Sequence, residues 1–231
     1  MLKRIKFKYK VIAVAIIFMV ALKFVFGIEH LWVYVLVIIV SVFINIFYRR
    51  KLNAFTKPKT IAEFDKLIES DPDDPQGYFL RAQAYLTKFR TEDNSIKIAE
   101  KDLSMAIKLA PDHYRAYEAR GFLKLSSNNF NKAISDFSKA IELNPESSHA
   151  FYSRAVAYTQ MKNYKMALKD YEKVIEIKPH YAEAFRNKGN VLFKLKKYKE
   201  AISDWEQSIK LKPELQNELS PLIKGTEKKL N

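Results

Sequence analysis

Four prolines of this chain stand at a constant interval. Pro111, Pro145, Pro179 and Pro213 are each 34 residues apart. An interval of about 20 to 50 residues indicates a repeat architecture, in which each unit buries its apolar face only against its neighbours. The spacing therefore favours an elongated array of similar units over a globular fold with a single core.

The segment before each proline is repeated as well. Residues 133–145, 167–179 and 201–213 have small and apolar side chains at matching places, with Phe137, Tyr171 and Trp205 aligned. These apolar positions recur every three or four residues, which is the spacing of one face of a helix. Because proline disfavours helical geometry in the residue before it, each segment is predicted to be an amphipathic helix that ends just before its proline.

A second aligned segment precedes each of these helices. The aligned triplets are Tyr117, Arg120 and Gly121; Phe151, Arg154 and Ala155; and Phe185, Lys188 and Gly189. The small residue allows two helices to approach closely, and the aromatic residue one turn earlier fills the space beside it. Helix–turn–helix units of 34 residues with this pattern resemble tetratricopeptide repeats. The resemblance implies an all-α fold, an α-solenoid, and a role in binding proteins.

The repeat pattern also divides the chain into segments. Regular units are predicted at 114–147, 148–181 and 182–215, and an earlier unit at 75–113 carries an insertion of five residues near 91–95. Residues 61–74 copy a second helix alone and are predicted to be a half-repeat. Residues 216–231 are predicted to be a capping helix, because the last unit needs its open face covered. Residues 53–60 are predicted to be a linker.

Two apolar stretches predict a transmembrane hairpin within residues 1–52, with spans at about 8–26 and 31–48. Lysine and arginine flank both outer ends, and such residues stay on the cytoplasmic side. The expected localisation is therefore an integral, multi-pass membrane protein with two spans and both termini cytoplasmic. A cleaved signal peptide followed by one anchor is the alternative, but the bulky residues at 23–27 disfavour cleavage. Self-association through the hairpin is a further hypothesis, because Ser41 and Asn45 can bond across helices.

The formal net charge of +14 is unevenly distributed along the chain. Residues 1–59 contain 11 Lys or Arg against the single acid Glu29, whereas residues 60–231 contain 29 basic and 25 acidic residues. A nucleic-acid-binding protein usually carries its basic face on its folded domain. Here the excess lies beside the predicted membrane spans, where lipid head groups explain it. We therefore expect the lipid bilayer and proteins as partners and no nucleic acid.

No residue pattern indicates a catalytic, cofactor or metal site. Cysteine is absent, and the five glycines are too far apart to form a phosphate-binding loop. His30, His113, His149 and His180 lack a partner at metal-ligand spacing, and no serine lies in an elbow motif. The expectation is that the chain is not an enzyme and binds no cofactor and no metal.

The resemblance further implies a concave groove lined by the first helices of successive units, which binds peptides or helices in similar arrays. Carried over to this chain, the groove residues are Phe79, Gln83, Leu86, Glu118, Phe122, Leu125, Tyr152, Val156, Thr159, Arg186, Asn190 and Phe193. The middle of this set is apolar, which favours a protein or peptide ligand with an apolar segment. The alternative is that these side chains pack between neighbouring helices or under the cap.

One known type of ligand is not expected. Some members of the family hold a chaperone's C-terminal carboxylate in a clamp of Lys, Asn and Arg, and Arg186 and Asn190 resemble the start of that clamp. The earlier units have Phe79, Gln83 and His149 at corresponding places, which cannot complete it. The functional hypothesis is a membrane-anchored scaffold or adaptor that binds a protein at the cytoplasmic face. The alternative is a constitutive structural or assembly subunit of a membrane protein complex.

Overall fold

The computed structural model describes residues 60–87 and 94–230. This part of the chain contains ten α-helices and one short 3-10 helix at Pro213–Leu215, with no strand, which confirms the all-α prediction. The helices are α1 Ile61–Ser70, α2 Pro75–Thr87, α3 Ser95–Leu109, α4 Tyr114–Ser126, α5 Phe130–Leu143, α6 Ser148–Gln160, α7 Tyr164–Ile177, α8 Ala182–Lys194, α9 Tyr198–Leu211 and α10 Gln216–Glu227.

The helices pack in sequential order. Each pair α2–α3, α4–α5, α6–α7 and α8–α9 forms an antiparallel hairpin with an extensive interface, and each second helix also packs on the first helix of the next pair. The first helices therefore line one face of the array and the second helices line the other. This arrangement is the α-solenoid that the sequence predicted.

The prolines end the second helices as predicted. The residue before Pro145, Asn144, has φ −140° and ψ 90°, and the residue before Pro213, Lys212, has φ −144° and ψ 89°. Both values lie outside the helical region, which the proline ring disfavours for the preceding residue. Each second helix therefore stops at the same place in its unit.

The two helices of each regular unit are joined by the same turn. Asn128, Lys162 and Lys196 have φ values of 57°, 58° and 62°. In all three turns the amide of this residue donates to the carbonyl three residues earlier, at 3.0 Å, and the next amide donates to the carbonyl five residues earlier. This is the Schellman motif. Its left-handed residue suits asparagine, whereas it costs other residues with a Cβ roughly 1 to 2 kcal/mol.

A small residue faces a large one inside each hairpin. A Cβ on Gly121 would lie 2.8 Å from the ring of Phe137, and a Cβ on Gly189 would lie 2.7 Å from the ring of Trp205. The large rings are buried, with exposed fractions of 1%. The helices can therefore approach this closely only because the facing residue has no side chain.

A row of ion pairs also joins the two helices of each unit. Arg154 on α6 donates from Nε and Nη2 to the two carboxylate oxygens of Asp170 on α7, each at 2.8 Å, and from Nη1 to Ser138 on α5 at 2.9 Å. The equivalent two-point bonds join Arg81 to Asp102 and Arg120 to Asp136. Because the guanidinium geometry matches the carboxylate, these bonds fix the distance between helices as well as adding energy.

The fourth unit has a weaker version of this pair. Lys188 stands in place of the arginine, and its Nζ lies 3.2 Å from Oδ1 of Asp204. The buried Oδ2 of Asp204 has no hydrogen-bond partner among the described residues. Burial raises the pKa of Asp204, since one ammonium contact offsets only part of the lost hydration.

The last helix resembles the first helix of a further unit. Leu215 and Leu219 are buried against α8 and α9. Ile223 occupies the place that Gly121 and Gly189 hold in earlier units. A branched side chain therefore stands in α10 where the second and fourth units have glycine. The division of the chain into a half-repeat, four units and a cap stays a prediction.

The localisation prediction requires a correction. None of the helices described in 60–87 and 94–230 is long and apolar enough to cross a membrane. The longest, α3, has 15 residues and is amphipathic, so it would extend only about 22 Å, against the roughly 30 Å of a hydrocarbon core. An integral protein with two spans and both termini cytoplasmic is therefore not supported, and we do not carry it further. The predicted spans at 8–26 and 31–48, residues 53–59 of the predicted linker and residues 88–93 lie outside the described residues.

Candidate protein-binding groove

An open pocket of about 480 Å³ lies where the first helices α2, α4 and α6 meet. Four of the predicted groove residues line it: Phe79 and Gln83 from α2, and Glu118 and Phe122 from α4. The structure therefore brings together four of the six groove residues predicted in the first two full units, and Leu86 and Leu125 do not line the pocket.

Phe122 is the prominent apolar group of this pocket. Its exposed fraction is 53%, the largest among the exposed large hydrophobic side chains of the described residues. Covering the exposed half of this side chain is worth about 1 kcal/mol, and exposed aromatic groups in concave sites commonly anchor a partner. Phe122 is thus the residue of this groove from which a ligand would gain most.

Phe79 also lines the pocket, but unlike Phe122 it is buried and forms part of the pocket wall. Its exposed fraction is only 5%, and its ring centroid lies 4.6 Å from that of His113. Burial lowers the pKa of His113, so the imidazole is neutral at pH 7 and packs as a flat, weakly polar ring. His113 lies behind Phe79 and does not line the pocket itself, so it supports the position of the Phe79 ring.

The rim of the pocket is polar and balanced in charge. Arg115 and Lys178 bring positive charge, and Glu118 and Glu146 bring negative charge. Glu118 accepts a hydrogen bond from the hydroxyl of Ser147, which orients its carboxylate. A rim without excess charge favours a ligand that fills the pocket with an apolar group over a strongly charged one.

Several pocket residues were missed by the sequence analysis. They are Tyr114, Arg115, Ala119, Phe137, Asn144, Glu146, Ser147, Ser148, His149, Ser153 and Lys178. Arg115 and His149 occupy one repeat position, three residues before Glu118 and Tyr152, so the 34-residue alignment could have revealed them. The loop residues could not be found in this way, because their approach to the pocket depends on how the hairpins stack.

The groove residues of the third unit are more enclosed. The ring of Tyr152 lies 5.9 Å from that of Tyr171 and 5.2 Å from that of Tyr181, and its hydroxyl accepts a hydrogen bond from Asn187 at 2.8 Å. Burial raises the pKa of Tyr152, and it raises the pKa of Tyr171 to about 12. Val156 packs against the same cluster. Tyr152 and Val156 are thus half-buried and pack against neighbouring helices, and their place in the groove stays a prediction.

The remaining predicted groove residues also have partners within the chain. Thr159 donates to the carbonyl of Ala155, Arg186 pairs with Glu218 at 3.4 Å, Asn190 accepts from the indole of Trp205 at 3.0 Å, and Phe193 lies beneath the ammonium of Lys229. Leu86 packs against the core of the first full unit, and Leu125 is half-buried. Within residues 60–87 and 94–230, no group of three His, Asp or Glu side chains is arranged to hold a metal.

These hairpins, turns and ion pairs define an α-solenoid of two-helix units. Two family models of the tetratricopeptide repeat match the chain, one at residues 149–181 and 182–215 and the other at residues 114–147. These segments of the chain are therefore tetratricopeptide repeats. None of the curated proteins matches the chain in sequence.

Solved structures of MamA and YrrB have the same fold as this chain. The chain is 20% identical to MamA, with a TM-score of 0.62, over 74% of this chain and 95% of MamA. MamA from Desulfovibrio magneticus RS-1 is 16% identical, with a TM-score of 0.62, over 75% of this chain and 95% of that one. YrrB, described as a tetratricopeptide-repeat protein with an unusual peptide-binding site, is 20% identical, with a TM-score of 0.58, over 66% and 76%. At these identities the likeness establishes the fold alone.

Proposed function

We propose that this chain is an interaction scaffold that binds another protein through the pocket formed by α2, α4 and α6, without catalysing a reaction. The observation that carries the proposal is the exposure of Phe122 inside a pocket of about 480 Å³. An exposed aromatic side chain in a concave site with a polar rim is a typical anchor for a partner.

The ligand that fits best is a polypeptide segment with an apolar side chain that covers Phe122. Gln83 is exposed beside it, and Glu118 is held by Ser147, so both can bond to the backbone or to polar side chains of such a segment. YrrB, whose fold is similar, is described as having a peptide-binding site, and this likeness supports a peptide as the class of ligand.

The proposal is tested by capturing a partner on the full 231-residue chain with a crosslinker and then measuring its affinity as a purified protein. Phe122→Glu places a charge in the apolar part of the pocket and should weaken binding by about 30-fold or more, as loss of an anchor residue does. Tyr152 is unsuitable for this test, because its packing and its bond to Asn187 mean that a charge there would disturb the fold.

Leu222→Glu is the matched control. Leu222 is 44% exposed on α10, outside the pocket, so the variant adds the same charge to another exposed apolar position. Circular dichroism verifies that both variants fold. Equal affinity of the wild type and Phe122→Glu would exclude the pocket as the binding site.

A further inference from the structure

The turns at one edge of the array carry an excess of positive charge. This basic edge consists of the α6–α7 turn, the α8–α9 turn and the tail that follows α10. Its exposed lysines are Lys162, Lys165, Lys194, Lys196, Lys199 and Lys228. The nearby acids are Glu200, which pairs with Lys197 at 3.6 Å, and Glu227. Among the residues that the structure describes, most of the positive charge on this edge therefore has no partner of opposite sign.

A cation–π contact holds the tail on the basic edge. The ammonium of Lys229 lies 4.7 Å from the ring centroid of Phe193 and 5.6 Å from that of Tyr198. Phe193 is near the end of α8, and Tyr198 begins α9, so the tail lies beside the turn between these helices.

Apolar side chains lie among these lysines. Met161, Leu195 and Leu230 have exposed fractions of 43%, 40% and 43%, and each is next to a lysine in the sequence. The second unit has Ser127 and Asn128 at the places of Met161 and Lys162. The combination of an apolar side chain with an ammonium group thus belongs to the third and fourth units and the tail, and the repeat itself does not require it.

The backbone at two of the lysines is strained. Lys162 and Lys196 have φ of 58° and 62°, in the left-handed region, where Asn128 serves the same turn in the second unit. Asparagine adopts this conformation more readily than lysine does. Lysine at a strained position that asparagine would fit better indicates that the lysine side chain has a function. Here each lysine places a positive charge at the tip of a turn.

We propose that the basic edge binds an acidic protein segment with interspersed apolar side chains. The carboxylates of such a segment can pair with the exposed lysines of the two turns, and its apolar side chains can cover Met161 and Leu195. Met161, Leu195 and Leu230 are each less than half exposed, so little apolar surface is available to insert into a bilayer. This favours a polypeptide over a lipid surface.

This surface is separate from the pocket beside Phe122, so the two proposals can fail independently. A scaffold with two surfaces of different chemistry can hold two partners together. The pocket favours an apolar group, whereas the basic edge requires carboxylates.

The test measures binding of a fluorescent synthetic peptide, six repeats of Leu-Glu-Glu, to the full 231-residue chain by fluorescence anisotropy. The edge variant combines Lys162→Asn with Lys196→Asn, since Asn128 shows that asparagine fits this turn. Two exposed charge pairs are worth about 1 kcal/mol together, so the edge variant should bind about fivefold more weakly at low ionic strength. A peptide with Ser in place of Leu should also bind more weakly.

The control combines Lys101→Ser with Lys169→Ser. These exposed lysines lie on the second helices α3 and α7, and Ser135 and Ser203 hold the same place in the other units. The control removes the same charge away from the edge and should bind the peptide as the wild type does. Urea unfolding should show that the edge variant is at least as stable as the wild type, because its backbone strain is relieved.

Three results would overturn the proposal. The first is that the wild type does not bind the peptide, and the second is an equal loss of affinity in the edge and control variants. The third is binding to vesicles that contain anionic lipids, with the same dependence on Lys162 and Lys196, but no binding to the peptide. That last result would assign the edge to a lipid surface.

Discussion

The same substitution, glycine to alanine, can be made at a tightly packed position, Gly189 in α8, and at an open position, Gly225 in α10. A Cβ on Gly189 would lie 2.7 Å from Cδ1 and Nε1 of Trp205 and 3.1 Å from the carbonyl oxygen of Ala201. No described atom lies within 4 Å of a Cβ on Gly225. Trp205 cannot easily move away, because it is buried and its Nε1 donates to Asn190 at 3.0 Å.

The expected free energies follow from these contacts. Alanine in place of glycine inside a helix gains about 1 kcal/mol, and forcing an atom into a packed core costs about 1 to 3 kcal/mol. The added methyl group of Gly189→Ala would contact both a large ring and the backbone, so the packing cost should be near 3 kcal/mol. The net loss in the free energy of unfolding should therefore be about 2 kcal/mol. The added methyl group of Gly225→Ala has no such contact, so this variant should raise the free energy of unfolding by about 0.5 kcal/mol. The gain is smaller than inside a helix because Gly225 lies near a helix end that frays.

Urea unfolding followed by far-ultraviolet circular dichroism measures both free energies. A companion variant, Trp205→Leu, provides an internal test, because the first full unit pairs Ala82 with Leu103 at the same places. The double variant Gly189→Ala with Trp205→Leu should lose less stability than the sum of its two single variants, by at least about 1 kcal/mol. If Gly189→Ala were as stabilising as Gly225→Ala, the close packing of Gly189 on Trp205 would not be the reason for this glycine.

Three further predictions concern ionisable groups of the core. Lys188→Arg should raise the free energy of unfolding by about 1 kcal/mol and lower the pKa of Asp204, because a guanidinium can bond both carboxylate oxygens. Urea unfolding measures the first change and NMR titration the second. An unchanged pKa of Asp204 would contradict this prediction. The converse variant Arg154→Lys should cost about 1 to 3 kcal/mol, since it leaves an oxygen of buried Asp170 without a donor; no loss in urea unfolding would contradict this. Burial raises the pKa of Tyr171 to about 12, above the value of about 10 in an unfolded chain. Its contribution to stability should therefore be complete below pH 10 and be lost as pH rises towards 12, and Tyr171→Phe should remove this part of the pH dependence of unfolding.

Much of the fold could be predicted from single residues and their spacing. The interval from Pro145 to Pro179 defined the unit, and the extended residue before each proline ends the second helix as expected. Gly121 and Gly189 indicated where helices approach closely, and both lie against large rings. These features could be read from the sequence because each depends on local backbone preference or on a contact within one hairpin.

The candidate site was less accessible to prediction. Phe122 and Gln83 were expected in the groove and line the pocket, but Tyr152 was expected there as well and packs among aromatic rings. The sequence indicates the face of a helix on which a residue lies. A residue that lines the groove and a residue that packs against a neighbouring first helix both lie on that face, so the sequence does not distinguish them. Which side chains remain exposed depends on how far apart neighbouring first helices lie, and this distance is set by contacts between units.

The sequence by itself determined that this chain contains an array of two-helix units, because periodicity, prolines and small residues act within one unit and repeat along the chain. Only the tertiary structure decided which arginines meet which carboxylates, that Asp204 lacks a second donor, and that Phe122 remains exposed beside a pocket. These features arise where residues from different helices converge, as in the contact of Arg154 with both Ser138 and Asp170. The physical reason is that helix geometry is a local property, whereas burial and charge pairing depend on distances across the whole stack.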